Sequence, residues 1–300
     1  MKVYSKVRQL PTGQASEKLV EGCLVLEGGA FRGLYTQGFL DAMMINDLNL
    51  SCVIGVSAGA LSGASYVSGQ IGRSGRINLT YRHDSRYIGT RALIHNHSIL
   101  DVGFLTEERG ILEPLDTERF YRPDQRFIAV ATNCRTGRPA CFEKGKCSDM
   151  MAALRASAAI PFISQMVKIE GVPYLDGACS CRIPYLWALK SGYEKIVVIR
   201  TRDREFRKEE SGPKRKYHLY RKYPELVRRL ANGDHAYNLQ CDELDRLHRE
   251  GRVFMAAPSK TVTVQQLEKD MEKLGDLYWL GYQDCMDQLT ELKRYLIAAC

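Results

Sequence analysis

The chain has 300 residues, of which 45% are hydrophobic and 26% are charged, and its net charge is +8. This composition excludes collagen-like, rod-forming and wholly disordered proteins, and the length allows one large α/β domain or a smaller domain with an appendage. Residues 1–20 carry charges throughout and no stretch approaches 18 consecutive apolar residues, so we expect neither a signal peptide nor a transmembrane helix.

The first 70 residues predict alternating strands and helices. Residues 22–27 form a short apolar run bounded by glycines, and residues 51–56 form a second one. A helix is predicted over residues 32–47, and another begins after Ser57. This strand–helix–strand–helix order predicts a parallel sheet.

The β pattern resumes after a polar excursion over residues 70–100, which we expect to be partly helical. The later predicted elements share short apolar runs bounded by turn residues. They are strand 126–134 with a hairpin partner at 140–143, helix 148–158, hairpin 165–175 turning at Glu170-Gly171, and strand 194–201.

Beyond residue 201 the strand pattern gives way to helical periodicity. Apolar residues recur at steps of three and four over residues 263–297, which predicts one long helix packed on the sheet domain. Thr263 and Gln266 fit a capping box at its start. We therefore expect an N-terminal segment (1–20), a catalytic domain (21–202) and a mainly helical C-terminal region (203–300).

The cysteines give a weaker indication of the cellular compartment. The ten cysteines lack a CxxC pair and favour reduced thiols in the cytoplasm, with Cys179 and Cys181 interpreted as packed thiols and no metal expected.

Much of the positive charge lies in residues 200–229. A solvated face is the favoured interpretation, and transient contact with an anionic membrane surface is the alternative; no nucleic-acid partner is expected, because no binding motif is present.

The strongest chemical signal is the sequence GVSAG, in which Ser57 lies between Gly55 and Gly59. It follows a predicted strand and precedes a predicted helix, where a tight turn exposes a nucleophile and glycines avoid steric clashes. The free N–H groups of the following helix point toward the same place. This context predicts a catalytic serine.

A catalytic serine needs a base, and the sequence offers two kinds. A Ser–Asp–His triad is poorly supported, because none of the six histidines lies in a convincing loop at a strand end. Asp176 instead ends a predicted strand, followed by Gly177, although an ordinary Asp-Gly turn is the simpler interpretation of that pair alone.

The sequence LEGGAFRG at residues 26–33 follows the first strand. It nearly matches a dinucleotide-binding fingerprint, but Ala30 replaces the middle glycine, and that function does not explain the GVSAG sequence on the next strand. Backbone N–H groups at such a turn also bind oxyanions. If the two strands are adjacent and parallel, this loop lies beside Ser57.

Together, EGGAFRG, GVSAG and the later sequence DGA at 176–178 resemble the patatin-like phospholipases. Residues 156–162, ASAAIPF, resemble the segment of that family between helix and hairpin. The resemblance covers roughly residues 20–202 and implies a three-layer α/β/α fold with a mostly parallel sheet. The C-terminal hundred residues resemble, more weakly, a helical extension found in a bacterial branch of the family.

The resemblance implies a Ser57–Asp176 dyad that hydrolyses carboxylic esters of phospholipids or lysophospholipids without a metal or cofactor. It places the oxyanion hole at the backbone N–H groups of Gly28, Gly29 and Ala30, a methyl at Ala30 being compatible if φ is negative there. Arg32 then braces the loop or meets lipid phosphate, and Gly33 supports the same turn. The alternatives are a non-lipid esterase, a thioesterase or an acyltransferase with the same dyad, or a non-catalytic lipid-binding module. Residues 70–100 and 203–240 remain alternatives for a lid.

Overall fold

A central mixed sheet organises the chain. The computed structural model describes residues 2–88, 113–210 and 214–297. Within those ranges, the strands are β1 (Gly13–Gln14), β2 (Leu19–Leu26), β3 (Asn49–Val56), β4 (Gln70–Ile71), β5 (Arg126–Asn133), β6 (Pro139–Glu143), β7 (Val167–Ile169), β8 (Val172–Asp176), β9 (Ile196–Ile199) and β10 (Phe254–Ala256).

The described strands of the main sheet are ordered β10-β9-β2-β3-β5-β8-β7, with β6 also paired to β5. The five strands from β10 to β5 run parallel, whereas β6, β7 and β8 join by antiparallel pairing. Strands β1 and β4 form a separate antiparallel pair. The carboxyl ends of β2 and β3 therefore lie side by side, which is where the sequence places its two glycine-containing loops.

Helices cover both faces of the sheet. They are α1 (Gly33–Ile45), α2 (Ala58–Val67), α3 (Arg73–Tyr81), α4 (Thr117–Phe120), α5 (Met150–Ser157), α6 (Tyr185–Lys190), α7 (Pro224–Ala231), α8 (Gly233–Arg249) and α9 (Met271–Ile297). In the part of the chain that the structure describes, no helix is both long enough and apolar enough to cross a membrane.

Side chains along β2 alternate between two buried cores on opposite faces of the sheet. Leu24 and Leu26 pack in the core formed with α1, α2, α5 and α9, whereas Cys23 and Val25 pack on the opposite side against α6 and α8. A parallel sheet with helices on both faces requires such continuous apolar strands. The expected three-layer α/β/α fold is confirmed.

Helix α9 packs along α1 at two positions where the backbones approach closely. A Cβ atom at Gly38 would overlap the Tyr278 carbonyl, and one at Gly281 would overlap the Tyr35 carbonyl. The Tyr278 hydroxyl also donates a 2.6 Å hydrogen bond to the buried carboxylate of Asp41. The C-terminal helix α9 therefore packs directly on α1, the helix that follows the central strand β2.

Most predicted elements are confirmed within a few residues, including the β7–β8 hairpin, whose turn places Glu170 at φ 50° and Gly171 at φ 74°. Two predictions were wrong. The strand pattern does not end near residue 201, because β10 pairs in parallel with β9 at the sheet edge. The last helix begins at Met271, so Thr263 and Gln266 form no capping box. Of the predicted excursion over residues 70–100, the described part contains helix α3, and residues 89–100 lie outside the described residues.

Candidate active site

Ser57 lies in the turn between β3 and α2. Its backbone dihedrals, φ 54° and ψ −123°, belong to neither helix nor strand. A Cβ atom at Gly55 would lie 2.7 Å from the amide nitrogen of Ala60, and one at Gly59 would lie 2.6 Å from the carbonyl oxygen of Leu26. Both glycines are therefore required sterically, as the sequence predicts for a strained turn that projects a side chain above the sheet.

Asp176, at the end of β8, meets Ser57 directly. The Ser57 hydroxyl donates to Asp176 Oδ2 at 2.7 Å, and the Ala178 N–H donates to Asp176 Oδ1 at 2.8 Å. Both side chains are buried. A Cβ atom at Gly177 would overlap the carbonyl of Val130, so glycine is needed for β8 to approach β5 here. The structure thus joins two residues that are 119 positions apart in sequence.

Burial raises the pKa of Asp176 from its usual value to about 6. Three smaller effects lower it: the Ala178 N–H, the Ser57 hydroxyl and the positive charge of Arg182. A carboxyl group with this pKa is ionised near neutral pH and remains more basic than an exposed aspartate. It can therefore accept a proton from a neighbouring hydroxyl, as general-base chemistry requires.

Ser157, at the C-terminal end of α5, supports the turn from the other side. Its Oγ accepts the Ser57 N–H at 2.9 Å and donates to the Val130 carbonyl at 2.7 Å. Ser157 is not among the site residues predicted from the sequence. The only available signal was its place in the ASAAIPF segment, because a serine at a helix end is otherwise common.

The loop after β2 lies next to Ser57, since a Cβ atom at Gly28 would be 3.2 Å from the Ser57 Cβ. The Gly28 N–H donates to the Arg182 carbonyl at 3.3 Å. Within the described residues, no backbone acceptor is found for the N–H groups of Gly29 and Ala30. The space beside Gly29 is closed by Thr201, whose Oγ1 would be 2.6 Å from an added Cβ.

Ala30 departs from the expectation of a negative φ. Its φ is 49°, in the left-handed region that costs non-glycine residues about 1–2 kcal/mol. Ala30 begins a single 3-10 turn, Ala30–Arg32, that leads into α1. The alanine therefore keeps a conformation suited to glycine, and the surrounding fold maintains it.

The other two predicted residues of this loop face different surroundings. A Cβ atom at Gly33 would be 3.0 Å from the Ala58 Cβ, so this glycine allows α1 to pack against the start of α2. Burial and the nearby charge of Arg202 lower the pKa of Arg32 to about 10, and the carboxylate of Glu27 acts in the opposite direction. Arg32 therefore belongs to a cluster of charged groups under the loop.

An apolar cavity opens beside Ser57, with an empty volume of about 920 Å³ including its mouth. One wall is α2, which contributes Ala58, Leu61 and Ala64 at intervals of three residues. Ala30 and Ser57 also line the cavity. The loop after α5 contributes Ile160 and Ile163 to its wall. This size and apolar lining suit a small-molecule or acyl ligand.

The described histidines lie apart from the dyad. His83 contacts the Lys269 carbonyl, His235 contacts Glu210, and His248 contacts the backbone of Val253, whereas His95 and His97 fall outside the described residues. No described histidine hydrogen-bonds to Ser57 or Asp176. Cys179 is buried and Cys181 half-buried, both as free thiols, and the described residues contain no cluster of three His, Cys, Asp or Glu side chains that could hold a metal ion.

Two family profiles match the chain. The sequence profile described as patatin-like phospholipase matches residues 24–189, which is more than half of the chain and includes both Ser57 and Asp176. The chain belongs to the patatin-like phospholipase family. A second profile, described as a domain of unknown function (DUF6363), matches residues 223–297, the region of α7 to α9.

Two known proteins resemble this family member, one in sequence and the other in fold. It is 31% identical over 183 residues to the uncharacterized protein YjjU of Escherichia coli K12, a match that covers 59% of this chain and 51% of that protein. The chain thus spans about half the length of this relative. Its fold is similar to the crystal structure of VipD from Legionella pneumophila, with a TM-score of 0.50 and 14% identity, covering 93% of this chain and 68% of that one.

Proposed function

We propose that this protein hydrolyses carboxylic esters of lipids, with Ser57 as nucleophile and Asp176 as its base. The observation that carries the proposal is the buried 2.7 Å hydrogen bond from Ser57 Oγ to Asp176 Oδ2 at the edge of an apolar cavity. A nucleophile and base in direct contact need no histidine between them. Membership of the patatin-like phospholipase family supports a lipid ester as substrate.

In the proposed mechanism, Ser57 Oγ attacks the ester carbonyl carbon as its proton passes to Asp176. The N–H groups of Gly29 and Ala30 donate to the resulting oxyanion, joined by that of Gly28 once it leaves the Arg182 carbonyl. Collapse of the tetrahedral intermediate breaks the ester C–O bond, and Asp176 returns the proton to the departing alcohol. Asp176 then deprotonates a water molecule, which attacks the acyl-enzyme carbonyl. The bond from that carbon to Ser57 Oγ breaks, Asp176 returns the proton to Ser57 Oγ, and a fatty acid is released. Preorganised donors of this kind typically contribute about 3–4 kcal/mol each to transition-state stabilisation.

The cavity fits the acyl half of such a substrate. Its α2 wall starts at Ser57 and is apolar, so an acyl chain bound along it would place its carbonyl at the hydroxyl. A phospholipid or lysophospholipid supplies such a chain, with its head group outside the cavity. A long-chain thioester would occupy the same space, which makes thioesterase and acyltransferase activity the outcomes against which the proposal is tested.

Activity-based labelling tests the nucleophile. We expect a fluorophosphonate probe to label the native protein and Ser57→Ala to abolish both labelling and ester hydrolysis. Ser164→Ala is the matched control, because Ser164 also lines the cavity and should keep full labelling. Labelling that persists in Ser57→Ala would exclude Ser57 as the nucleophile.

A substrate panel then tests the reaction class. Phospholipid, lysophospholipid, short soluble ester and acyl thioester substrates should be compared at equal acyl length. The proposal requires the highest kcat/KM for a lipid oxygen ester. Preference for a thioester, or transfer of the acyl group to an added alcohol in place of water, would contradict it.

A further inference from the structure

A second feature of the molecule is a concentrated basic segment near the cavity. Residues 214–229 contain seven lysines and arginines and a single carboxylate, Glu225, a net charge of +6 in a chain whose total is +8. Among the side chains of this segment that the structure describes, six cations are exposed, and Glu225 is paired with Arg228. The exposed cations are Lys214, Lys216, Arg221, Lys222, Arg228 and Arg229.

The segment also presents an exposed apolar side chain. Residues Arg215–Tyr220 form a 3-10 helix, in which side chains three residues apart lie on the same side. Tyr217 and Tyr220 share the inner side and pack on the Phe162 ring, with centroids 6.0 and 5.1 Å away. Leu219 is 64% exposed and therefore presents apolar surface to solvent.

Helix α7 extends the same face and fixes it to the protein. Leu226 is fully buried in the cluster that also contains Ala159 and Leu175, the residue before Asp176. On its other side, α7 touches the turn after β5, where a Cβ atom at Gly137 would lie 2.6 Å from the Glu225 carbonyl oxygen. That turn contributes two more exposed cations, Arg135 and Arg138.

The face is joined to the cavity wall by Phe162. The Phe162 N–H donates to the Tyr220 hydroxyl at 2.8 Å, and the Lys216 ammonium lies 4.4 Å from the centre of the Phe162 ring. Residues on both sides of Phe162, among them Ile160 and Ile163, line the cavity. The basic segment therefore contacts Phe162, whose neighbours in the chain line the proposed acyl site.

We propose that residues 214–229 and the turn 135–138 form a docking face for an anionic lipid bilayer, with Leu219 entering the interface. Clustered cations around an exposed apolar side chain are the combination that binds anionic membranes, by Coulombic attraction together with burial of apolar surface. Docking here would hold the lining residues on either side of Phe162 close to the bilayer that contains the substrate. Binding requires no catalysis, so the inference can fail while the hydrolase proposal stands.

Vesicle sedimentation of the full chain carrying Ser57→Ala tests the face without lipid hydrolysis. We expect binding to vesicles of phosphatidylcholine with an equal share of phosphatidylglycerol, little binding to phosphatidylcholine alone, and loss of binding at high salt. The double change Arg221→Glu, Lys222→Glu should weaken partitioning at least ~25-fold, since each cation near the surface contributes roughly fivefold. Lys18→Glu, Lys260→Glu changes the net charge equally at exposed sites outside the face and should keep binding.

Apolar insertion is tested separately with two exposed leucines. Leu219→Ala should reduce binding, whereas Leu239→Ala, at a site that is 56% exposed on α8, should not. The proposal is overturned if both charge-reversed pairs bind alike, or if neutral vesicles bind as well as anionic ones. The face would be assigned to nucleic acid instead if the protein bound duplex DNA tightly and did not bind vesicles. In that case only the change Arg221→Glu, Lys222→Glu should abolish DNA binding. Unchanged melting temperatures would show that each variant is folded.

Discussion

The backbone N–H of Ser57 donates a 2.9 Å hydrogen bond to the side-chain oxygen of Ser157, a residue 100 positions away. Because Ser157 also donates to the Val130 carbonyl, one hydroxyl ties the strained turn to both α5 and β5. Ser157→Ala removes the acceptor of the Ser57 N–H and one donor to the Val130 carbonyl, and a buried polar group left without a partner costs about 1–3 kcal/mol. We expect a fall in kcat with KM nearly unchanged, because the cavity keeps its shape.

The control for this variant is Ser62→Ala. Ser62 is also buried, and it accepts a hydrogen bond from Gln37 without contacting Ser57. It should lower the free energy of unfolding without selectively lowering kcat. If the two variants lose kcat equally at equal stability, Ser157 has a purely structural role.

The raised pKa of Asp176 predicts the acidic limit of activity. A proton acceptor must be ionised, so kcat/KM should be constant at neutral pH and fall tenfold per unit below about pH 6, following one ionisation. The sign follows from burial, since a buried carboxyl gains its proton at a higher pH than an exposed one. An activity profile that stays flat down to pH 4 would contradict the role of Asp176 as base.

Arg182 provides a way to move that limit. Its positive charge lowers the pKa of Asp176, so Arg182→Met should raise this pKa and shift the acid limb of the kcat/KM profile to higher pH. Lys208→Met removes another partly buried cation that is not among the groups acting on Asp176, and it should leave the limb in place. A downward shift in Arg182→Met would show that another group sets the profile.

The strands and Ser57 were predictable because their signals are local, whereas Asp176 was assigned as the base only through the resemblance to the patatin-like phospholipases. Apolar runs mark the buried strands, and a glycine-flanked serine between strand and helix requires one kind of turn. Parallel pairing of β2 with β3 then places both loops at one edge of the sheet. That part of the site follows from short sequences whose physics depends little on the rest of the chain.

The features missed depend on contacts between distant residues. The apolar periodicity predicted that the last helix begins at Thr263. The chain before Met271 is instead non-helical, because long-range hydrogen bonds hold its backbone in another conformation. Phe31 N–H donates to the Gln266 carbonyl, and the Arg82 guanidinium donates to the carbonyls of Leu267 and Glu268. Such tertiary contacts override local helical preference. The three residues of β10 are likewise too few to form a recognisable pattern.

The left-handed conformation of Ala30 leads to a stability prediction. Ala30→Gly relieves the steric cost of φ 49° but adds freedom to the unfolded chain, so we expect a net gain of ~1 kcal/mol or less, with activity retained. Urea denaturation measures the change. The matched control is Ala42→Gly within α1, where the same substitution should destabilise by about 1 kcal/mol or more. Loss of stability in Ala30→Gly would mean that the methyl packs favourably.

The substitution Ala30→Pro, which removes the N–H of this residue, does not test the proposed oxyanion donors in isolation. Proline fixes φ near −65°, whereas this position requires +49°, so Ala30→Pro would distort the loop as well as remove an N–H. Lost activity in that variant would therefore not separate the two causes.

The length of the cavity along α2 predicts selectivity for the acyl chain. Ala58, Leu61 and Ala64 share the face that lines it, and Ala64 lies seven residues beyond Ser57, about 10 Å along the helix. Ala64→Leu should fill the space far from the hydroxyl and lower kcat/KM for long-chain esters at least tenfold, while short-chain esters keep theirs. Ala60→Leu lies on the same helix but outside the cavity lining and should lower stability without changing chain-length preference. Equal losses for short and long esters in Ala64→Leu would show that the acyl chain does not follow α2.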